Sequence, residues 1–330
     1  MDSIVNLSKA DSDYLVSLVA NITANPSSDP ELFCRQVKRQ VDLFPYELHS
    51  AMDNFAQYGS STGYLLVKTK LVESGLGATP PDNKSHVGET TVLAKIQALL
   101  VSTLGELVAY EAEGDGRLFQ DIVPTRAMAD KQTSMGSTAE LEIHTEQAFS
   151  QLRPDYLSLA CLRGDVCART YALPVGVLVR SLTGDELEMA RGAHWTCGVD
   201  LSFKLNDLPF FSGDVRGPMP ILYGKVDPCL VFDQDLMKGD SEESQALLQK
   251  IVGVYYKERF THVFAPGEIM IVDNRRAVHG RSGYTPKYDG LDRFLVRCFG
   301  VRDLGASSYA RMGLGGLGGL GGRMIQAQFS

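Results

Sequence analysis

Ala139-Glu140-Leu141-Glu142-Ile143-His144-Thr145-Glu146 reads as a short strand that ends in an HxE triplet. Alternate residues of a strand share a face and stand about 7 Å apart along the chain. His144 and Glu146 can therefore bring an imidazole nitrogen and a carboxylate oxygen to a single ion. Two protein ligands leave an iron-sized ion short of donors. A second histidine from far along the chain would complete a two-histidine, one-carboxylate face, with the other positions free for substrate and oxygen. Taken alone the triplet decides nothing, because a core histidine beside a surface glutamate gives the same letters.

The distal partner is sought downstream. Ala265-Pro266-Gly267-Glu268 reads as a turn and Ile269-Met270-Ile271-Val272 as a buried strand. Asp273-Asn274-Arg275-Arg276 breaks it, and Val278-His279-Gly280-Arg281 follows. His279 is expected just past a strand end, where a ligand loop would sit. By itself it is equally a hydrogen-bonded structural histidine. Farther on, Arg293-Phe294-Leu295-Val296-Arg297-Cys298-Phe299 reads as a strand with residues 293, 295 and 297 on one face. Two arginines on one face are costly to bury unless they meet anions. A guanidinium fork suits a carboxylate. The alternative is a solvated pair.

Composition sets the outer limits. The chain has 330 residues, 44% hydrophobic and 22% charged, as expected of a globular protein with a sizeable core. Its formal charge is −8, with no block of Lys and Arg, which argues against nucleic acid as a partner. Cys34, Cys161, Cys167, Cys197, Cys229 and Cys298 are scattered without a CxxC, the pattern of reduced thiols in a cytoplasmic protein. The start, Met1-Asp2-Ser3-Ile4, has no signal-peptide layout. The most apolar segment, Val92 to Leu107, is interrupted by Lys95 and Gln97, so it predicts a buried helix and no membrane span.

In chain order, the first sixty residues read as helices. Tyr14, Leu15, Leu18, Val19 and Ile22 follow Asp11 on one face. Asp29-Pro30 is an N-cap with proline at the first helical position, and a third helix near Pro45 to Tyr58 stops at Gly59. Gly63 to Lys68 reads as a strand and Thr90 to Leu104 as a helix. From Leu107 onward short strand-like runs dominate, among them Tyr156 to Arg163 and Cys197 to Phe203. Helices near Pro174 to Leu182 and Ser241 to Tyr256 interrupt them. The pattern predicts an α+β chain with a mostly β core, a sandwich or barrel decorated with helices. One domain over 1–330 is expected: a helical brace over 1–60, a core over 61–303, and a mobile Gly-rich tail over 310–330.

His144-Thr145-Glu146, the run Asp273 to Arg281, and Tyr284-Thr285-Pro286-Lys287-Tyr288-Asp289-Gly290-Leu291-Asp292-Arg293 together resemble the clavaminate synthase-like family. These are iron(II)- and 2-oxoglutarate-dependent oxygenases, and this chain is most similar to their amino-acid hydroxylases. Leu118-Phe119-Gln120-Asp121-Ile122-Val123-Pro124 and Arg153-Pro154-Asp155-Tyr156 add to the resemblance, which spans about residues 60–303. It implies a distorted double-stranded β-helix (jelly roll, cupin-like) with flanking helices. It implies iron held by His144, Glu146 and His279, with Arg293 and Thr170 on the far carboxylate of 2-oxoglutarate. Ser134, Gln120, Arg297 and Glu146 then fall where the family handles the polar groups of an amino-acid substrate.

The chemistry implied uses O₂ and 2-oxoglutarate, gives succinate and CO₂, and hydroxylates an unactivated carbon. Related halogenases lack the carboxylate that stands here as Glu146. Asp233-Gln234-Asp235 follows the strand Leu230-Val231-Phe232, and its two carboxylates could grip a cation or simply face water. Family members acting on arginine-like substrates carry such a pair. The expected substrate is therefore a free basic amino acid, lysine or arginine, hydroxylated at C3 or C4. The alternatives are a neutral amino acid, desaturation or ring closure with the same cofactors, and a ligand-binding protein without turnover. The sequence does not set an oligomeric state.

Overall fold

The computed structural model describes residues 3–204, 214–311 and 322–330. The helical start is preceded by a short strand, β1 (Ile4–Asn6), which pairs parallel with β2 (Tyr64–Lys68). Between them lie α1 (Lys9–Val19), α2 (Pro30–Val41) and α3 (Tyr46–Tyr58). Asp29 accepts the Leu32 amide, and Pro30 opens α2 where no amide hydrogen is needed. α3 stops at Gly59, whose φ of 67° is left-handed and free of a Cβ clash only in glycine. Thr91 caps α4 (Val92–Leu104), which is buried on nearly every side: α1, α2 and α3 pack on it from one side and the sheet from the other.

Ten further strands complete the two main sheets: β3 (Glu106–Tyr110), β4 (Phe119–Ile122), β5 (Leu141–His144), β6 (Tyr156–Arg163), β7 (Arg169–Pro174), β8 (Phe260–Val263), β9 (Glu268–Asp273), β10 (Ala277–Arg281), β11 (Phe294–Val301) and β12 (Met324–Ile325). The larger sheet has the order β1-β2-β9-β6-β11-β3-β12, with β4 also on β11; the smaller is β8-β7-β10-β5. The architecture is α+β.

Strand alternation assigns the faces of the larger sheet. Phe294, Val296 and Cys298 pack with Ile96, Leu99 and Leu100 of α4. Leu295 and Phe299 point the other way, into a core shared with Tyr171, Leu173 and Val278 of the smaller sheet. Arg293 and Arg297 have the parity of Leu295, so both guanidiniums enter the space between the sheets.

Three expectations are corrected here. The strand expected over Cys197 to Phe203 is instead Trp195–Gly198 followed by a helical turn at Leu201–Lys204, because the Asp200 carbonyl accepts the Phe203 amide and the chain leaves the ladder. His279 does not lie in a loop. The turn closed by the Arg276 amide on the Asp273 carbonyl sends the chain from one sheet into the other, and His279 sits inside β10. The expected mobile tail does not extend to residues 322–330: β12 pairs parallel with β3, Arg323 donates to Glu106 at 3.1 Å, and Phe329 packs on Tyr309. The rest of that tail, 312–321, lies outside the described residues. No described helix is long and apolar enough to cross a membrane.

Candidate active site and metal centre

β5 and β10 are antiparallel neighbours, and their register sets His144 opposite His279. The ring centroids are 4.4 Å apart at an interplanar angle of 52°. Gly280 lets the strands close: a Cβ there would lie 2.7 Å from the Tyr255 hydroxyl and 2.8 Å from the Leu141 carbonyl oxygen. Glu146 does not continue the strand, as its spacing from His144 had suggested. β5 ends at His144, and the chain turns at Gln147, whose φ is 53°. The Glu146 carboxylate still reaches both rings. Its Oε2 is 3.4 Å from Nε2 of His279 and 3.8 Å from Nε2 of His144. The three donor atoms lie within 4.8 Å of one another. Ligands about 2.1 Å from one ion stand roughly 3–3.4 Å apart, so the set, somewhat wider than that, could hold a single metal once its side chains close in.

Protonation suits the same purpose. The His144 Nδ1–H donates to the Glu142 carbonyl at 2.7 Å, which turns Nε2 toward the site. Burial, then the neighbouring His144, push the His279 imidazole down to about 4 against the pull of Glu146. Burial alone would raise Glu146, but the Arg297 guanidinium and the two imidazoles outweigh it and hold the carboxyl at about 2. A neutral imidazole at His279 and a carboxylate at Glu146 are forms that a metal requires.

The other oxygen of Glu146 is taken. Arg297 donates to Glu146 Oε1 at 2.8 Å from Nη1, to Gln120 Oε1 at 3.0 Å from Nε, and to Glu113 from Nη2. Gln147 Nε2 donates to the second oxygen of Glu113 at 2.9 Å. Glu113 is lifted by burial and pulled back by Arg297. One guanidinium thus holds two buried carboxylates, one of them in the histidine cluster.

A cavity of about 950 Å³ opens onto this cluster, ample for two small molecules. Arg293, Arg281 and Thr170 line it. Arg293 is only 4% exposed and has no hydrogen bond or ion pair among the described residues. The Thr170 hydroxyl is also buried without a partner. Arg281 is spoken for: its Nη2 donates to the Ala139 carbonyl at 3.2 Å and its Nη1 to that of Gly136. Burial, then Arg293, push the Arg281 guanidinium down to about 10. A buried Arg293 beside a second cation calls for an anion. Asp233, Asp235, Asp200 and Ser134 line the cavity too. Asp233 Oδ1 accepts the Leu236 amide at 2.7 Å, and its carboxyl is raised by burial and by Asp235. Asp200 is pushed well above the usual range by lost solvent, then by Asp233, Glu113 and Glu146. A cation in the cavity would relieve the burial and mutual repulsion that raise these carboxyls, so the cluster favours a cationic guest.

Known proteins resemble this chain in sequence and in fold. Residues 211–299 match the family model described as "Taurine catabolism dioxygenase TauD, TfdA family". The chain is 43% identical to an L-lysine 3-hydroxylase of Catenulispora acidiphila over 331 aligned positions, all of this chain and 90% of that protein. It is 32% identical to clavaminate synthase 2 of Streptomyces clavuligerus, with 87% and 89% of the two chains covered. The chain belongs to the clavaminate synthase-like family of iron(II)- and 2-oxoglutarate-dependent oxygenases. Its fold matches an asparagine oxygenase solved with Fe(II), 3-hydroxyasparagine and succinate, with a TM-score of 0.89, 27% identity, and 98% and 99% of the chains covered. This chain is accordingly an iron(II)/2-oxoglutarate-dependent amino-acid hydroxylase.

In this oxygenase one cavity gathers all the residues singled out in the sequence: His144, Glu146, His279, Arg293, Thr170, Ser134, Gln120, Arg297, Asp233 and Asp235. Asp233 is tied to His144 directly by a backbone bridge. Two residues of the oxygenase went unnoticed, Glu113 and Asp200. The available signal for Glu113 was indirect: a buried Arg297 needs counter-charges, and Glu146 alone is divided between two tasks.

Proposed function

We propose that this oxygenase hydroxylates a free basic L-amino acid in the cytoplasm, L-lysine at C3 in the first place, within a double-stranded β-helix formed by the two facing sheets. The observation that carries the reading is a single cavity that joins the His-Glu-His set, a buried Arg293 that no described residue pairs with, and the carboxyl groups of Asp200, Asp233 and Asp235. The 43% identity to the L-lysine 3-hydroxylase supports lysine and C3 over arginine and C4.

In this reading His144, Glu146 and His279 hold the iron. Iron and 2-oxoglutarate together supply the oxidation of an unactivated C–H bond, with succinate and CO₂ as by-products. Arg293 and Thr170 receive the far carboxylate of 2-oxoglutarate. Gln120, Ser134, Arg297 and Glu146 meet the substrate's amino and carboxylate groups, and Asp233 and Asp235 take the side-chain cation. The buried apolar walls, Leu157, Leu159 and Leu295 among them, keep water from the reacting carbon.

Two variants test the two ends of the cavity. Arg293→Leu removes one partner of a buried charge pair, a loss of about 2–5 kcal/mol. The 2-oxoglutarate KM should rise roughly thirty-fold or more; an unchanged KM would show that another residue does this job. Asp235 is exposed, so a charged hydrogen bond there falls at the low end, about 1.5 kcal/mol or roughly ten-fold. Asp235→Asn should lower kcat/KM by that factor for lysine and spare glutamine, measured by the gain of one oxygen in mass. A wild type that prefers glutamine, or a variant that loses both substrates equally, rejects the cation reading in favour of a neutral amino acid.

A further inference from the structure

Glu146 lies where its strand has already ended, so its backbone groups must find partners outside the ladder. Asn274, wholly buried in the turn after β9, supplies both. Its Oδ1 accepts the Glu146 amide at 2.8 Å, and its Nδ2 donates to the Glu146 carbonyl at 3.1 Å. The same Nδ2 donates to the Pro154 carbonyl at 2.8 Å, and the Asn274 amide donates to the Asp155 carbonyl at 2.9 Å. One carboxamide therefore does for Glu146 what a neighbouring strand does for His144. It also ties that turn to the segment entering β6.

We propose that Asn274 is a positioning residue for Glu146, setting the height and direction of its carboxylate. The carboxylate must meet two demands at once, with one oxygen toward the imidazoles and the other on Arg297. A backbone free to rotate at residue 146 would satisfy one at the expense of the other, and the following residue is already in the left-handed region. Asn274 is itself anchored: Asp273, beside it, holds Arg275 at 2.8 Å and Arg276 at 3.3 Å. The chain then runs straight into β10 and His279, so a single turn places two of the three donors relative to each other. No other side chain fits as well. Aspartate keeps the acceptor but turns a charge toward two carbonyls, and alanine leaves both Glu146 groups unpaired in the interior.

The proposal rests on His144, Glu146 and His279 being the metal ligands, and the experiment separates the two claims. Wild type, Asn274→Ala, Asn274→Asp, His279→Ala and Thr69→Ala are compared as full-length proteins. Thr69→Ala is the control, deleting a buried hydroxyl that donates to the Gly267 carbonyl at 2.7 Å outside the cavity. Four readouts are taken: cobalt(II) affinity by equilibrium dialysis, the cobalt absorption spectrum, the ratio of succinate to hydroxylated product, and the melting temperature. Removing a group that orients a ligand typically weakens metal binding roughly 10–100-fold. Asn274→Ala should fall in that range, shift the cobalt spectrum and raise succinate per product. Asn274→Asp, nearly the same shape, should show the same changes more weakly and serves if the alanine variant does not fold. Thr69→Ala should lower the melting temperature and leave cobalt binding and the ratio alone. Asn274 variants that bind cobalt and couple like wild type overturn the proposal, as does a Thr69→Ala variant with the same cobalt defect. If His279→Ala binds cobalt like wild type, the ligand assignment fails and the proposal with it.

Discussion

His279→Ala is expected to lose its iron and all measurable turnover while keeping most of its stability. The activity loss follows from taking away one of three protein donors. Groups that merely orient a ligand are worth roughly 10–100-fold in metal affinity, so loss of a ligand itself should exceed 100-fold. The retained stability follows from the bonding. Among the described residues His279 Nδ1 has no partner, and its Nε2 faces Glu146 and the opposite ring, so truncation orphans no described backbone group. His144→Ala should lose activity equally but also release the Glu142 carbonyl that Nδ1 now bonds. Iron content after anaerobic reconstitution, read beside turnover and melting temperature, checks the pair. Wild-type-like turnover in either variant with iron content unchanged removes the assignment.

What could be read in the sequence was what depends on local rules. Strand parity alone put Arg293 and Arg297 on one face, and both do enter the space between the sheets. The caps at Asp29 and Gly59 follow from side-chain and backbone chemistry within a few residues. His144 and Glu146 were marked by spacing, and the resemblance joined them to His279. What was missed depends on distance. Val278-His279-Gly280-Arg281 is too short and too broken by glycine to read as a strand, and it is one because β5 and β7 flank it. Glu113 looks like any acidic turn residue in Glu111-Ala112-Glu113-Gly114. Its meaning comes from Arg297, 184 positions away. Asn274 reads as a strand breaker, and nothing nearby says that it bonds residue 146 across 128 positions. The GLG repeat drew attention from the residues after it, although Met324–Ile325 is a strand whose partner lies far back in the chain.

Arg297→Leu should be the most destabilising single change in the cavity. Arg297, Glu113 and Glu146 are 5%, 9% and 6% exposed, so little solvent is at hand to replace a lost partner. Breaking a buried pair from one side costs about 3–5 kcal/mol, because the other charge stays behind. Here two charges stay behind, and the Gln120 carbonyl oxygen loses its donor as well. For a chain of 330 residues that corresponds to a fall of about 4–7 °C in melting temperature. The change has a second signature. Adding Glu113→Gln to Arg297→Leu removes one stranded charge, so the double variant should be more stable than the single one although it has one fewer native side chain. A divalent metal should neutralise the other stranded charge, Glu146, and so raise the melting temperature of Arg297→Leu more than that of wild type. The measurement is thermal unfolding of wild type, both single variants and the double, each with and without cobalt(II). An Arg297→Leu variant within about 2 °C of wild type, or a double variant that unfolds below the single one, would show that Glu113 and Glu146 do not depend on this guanidinium.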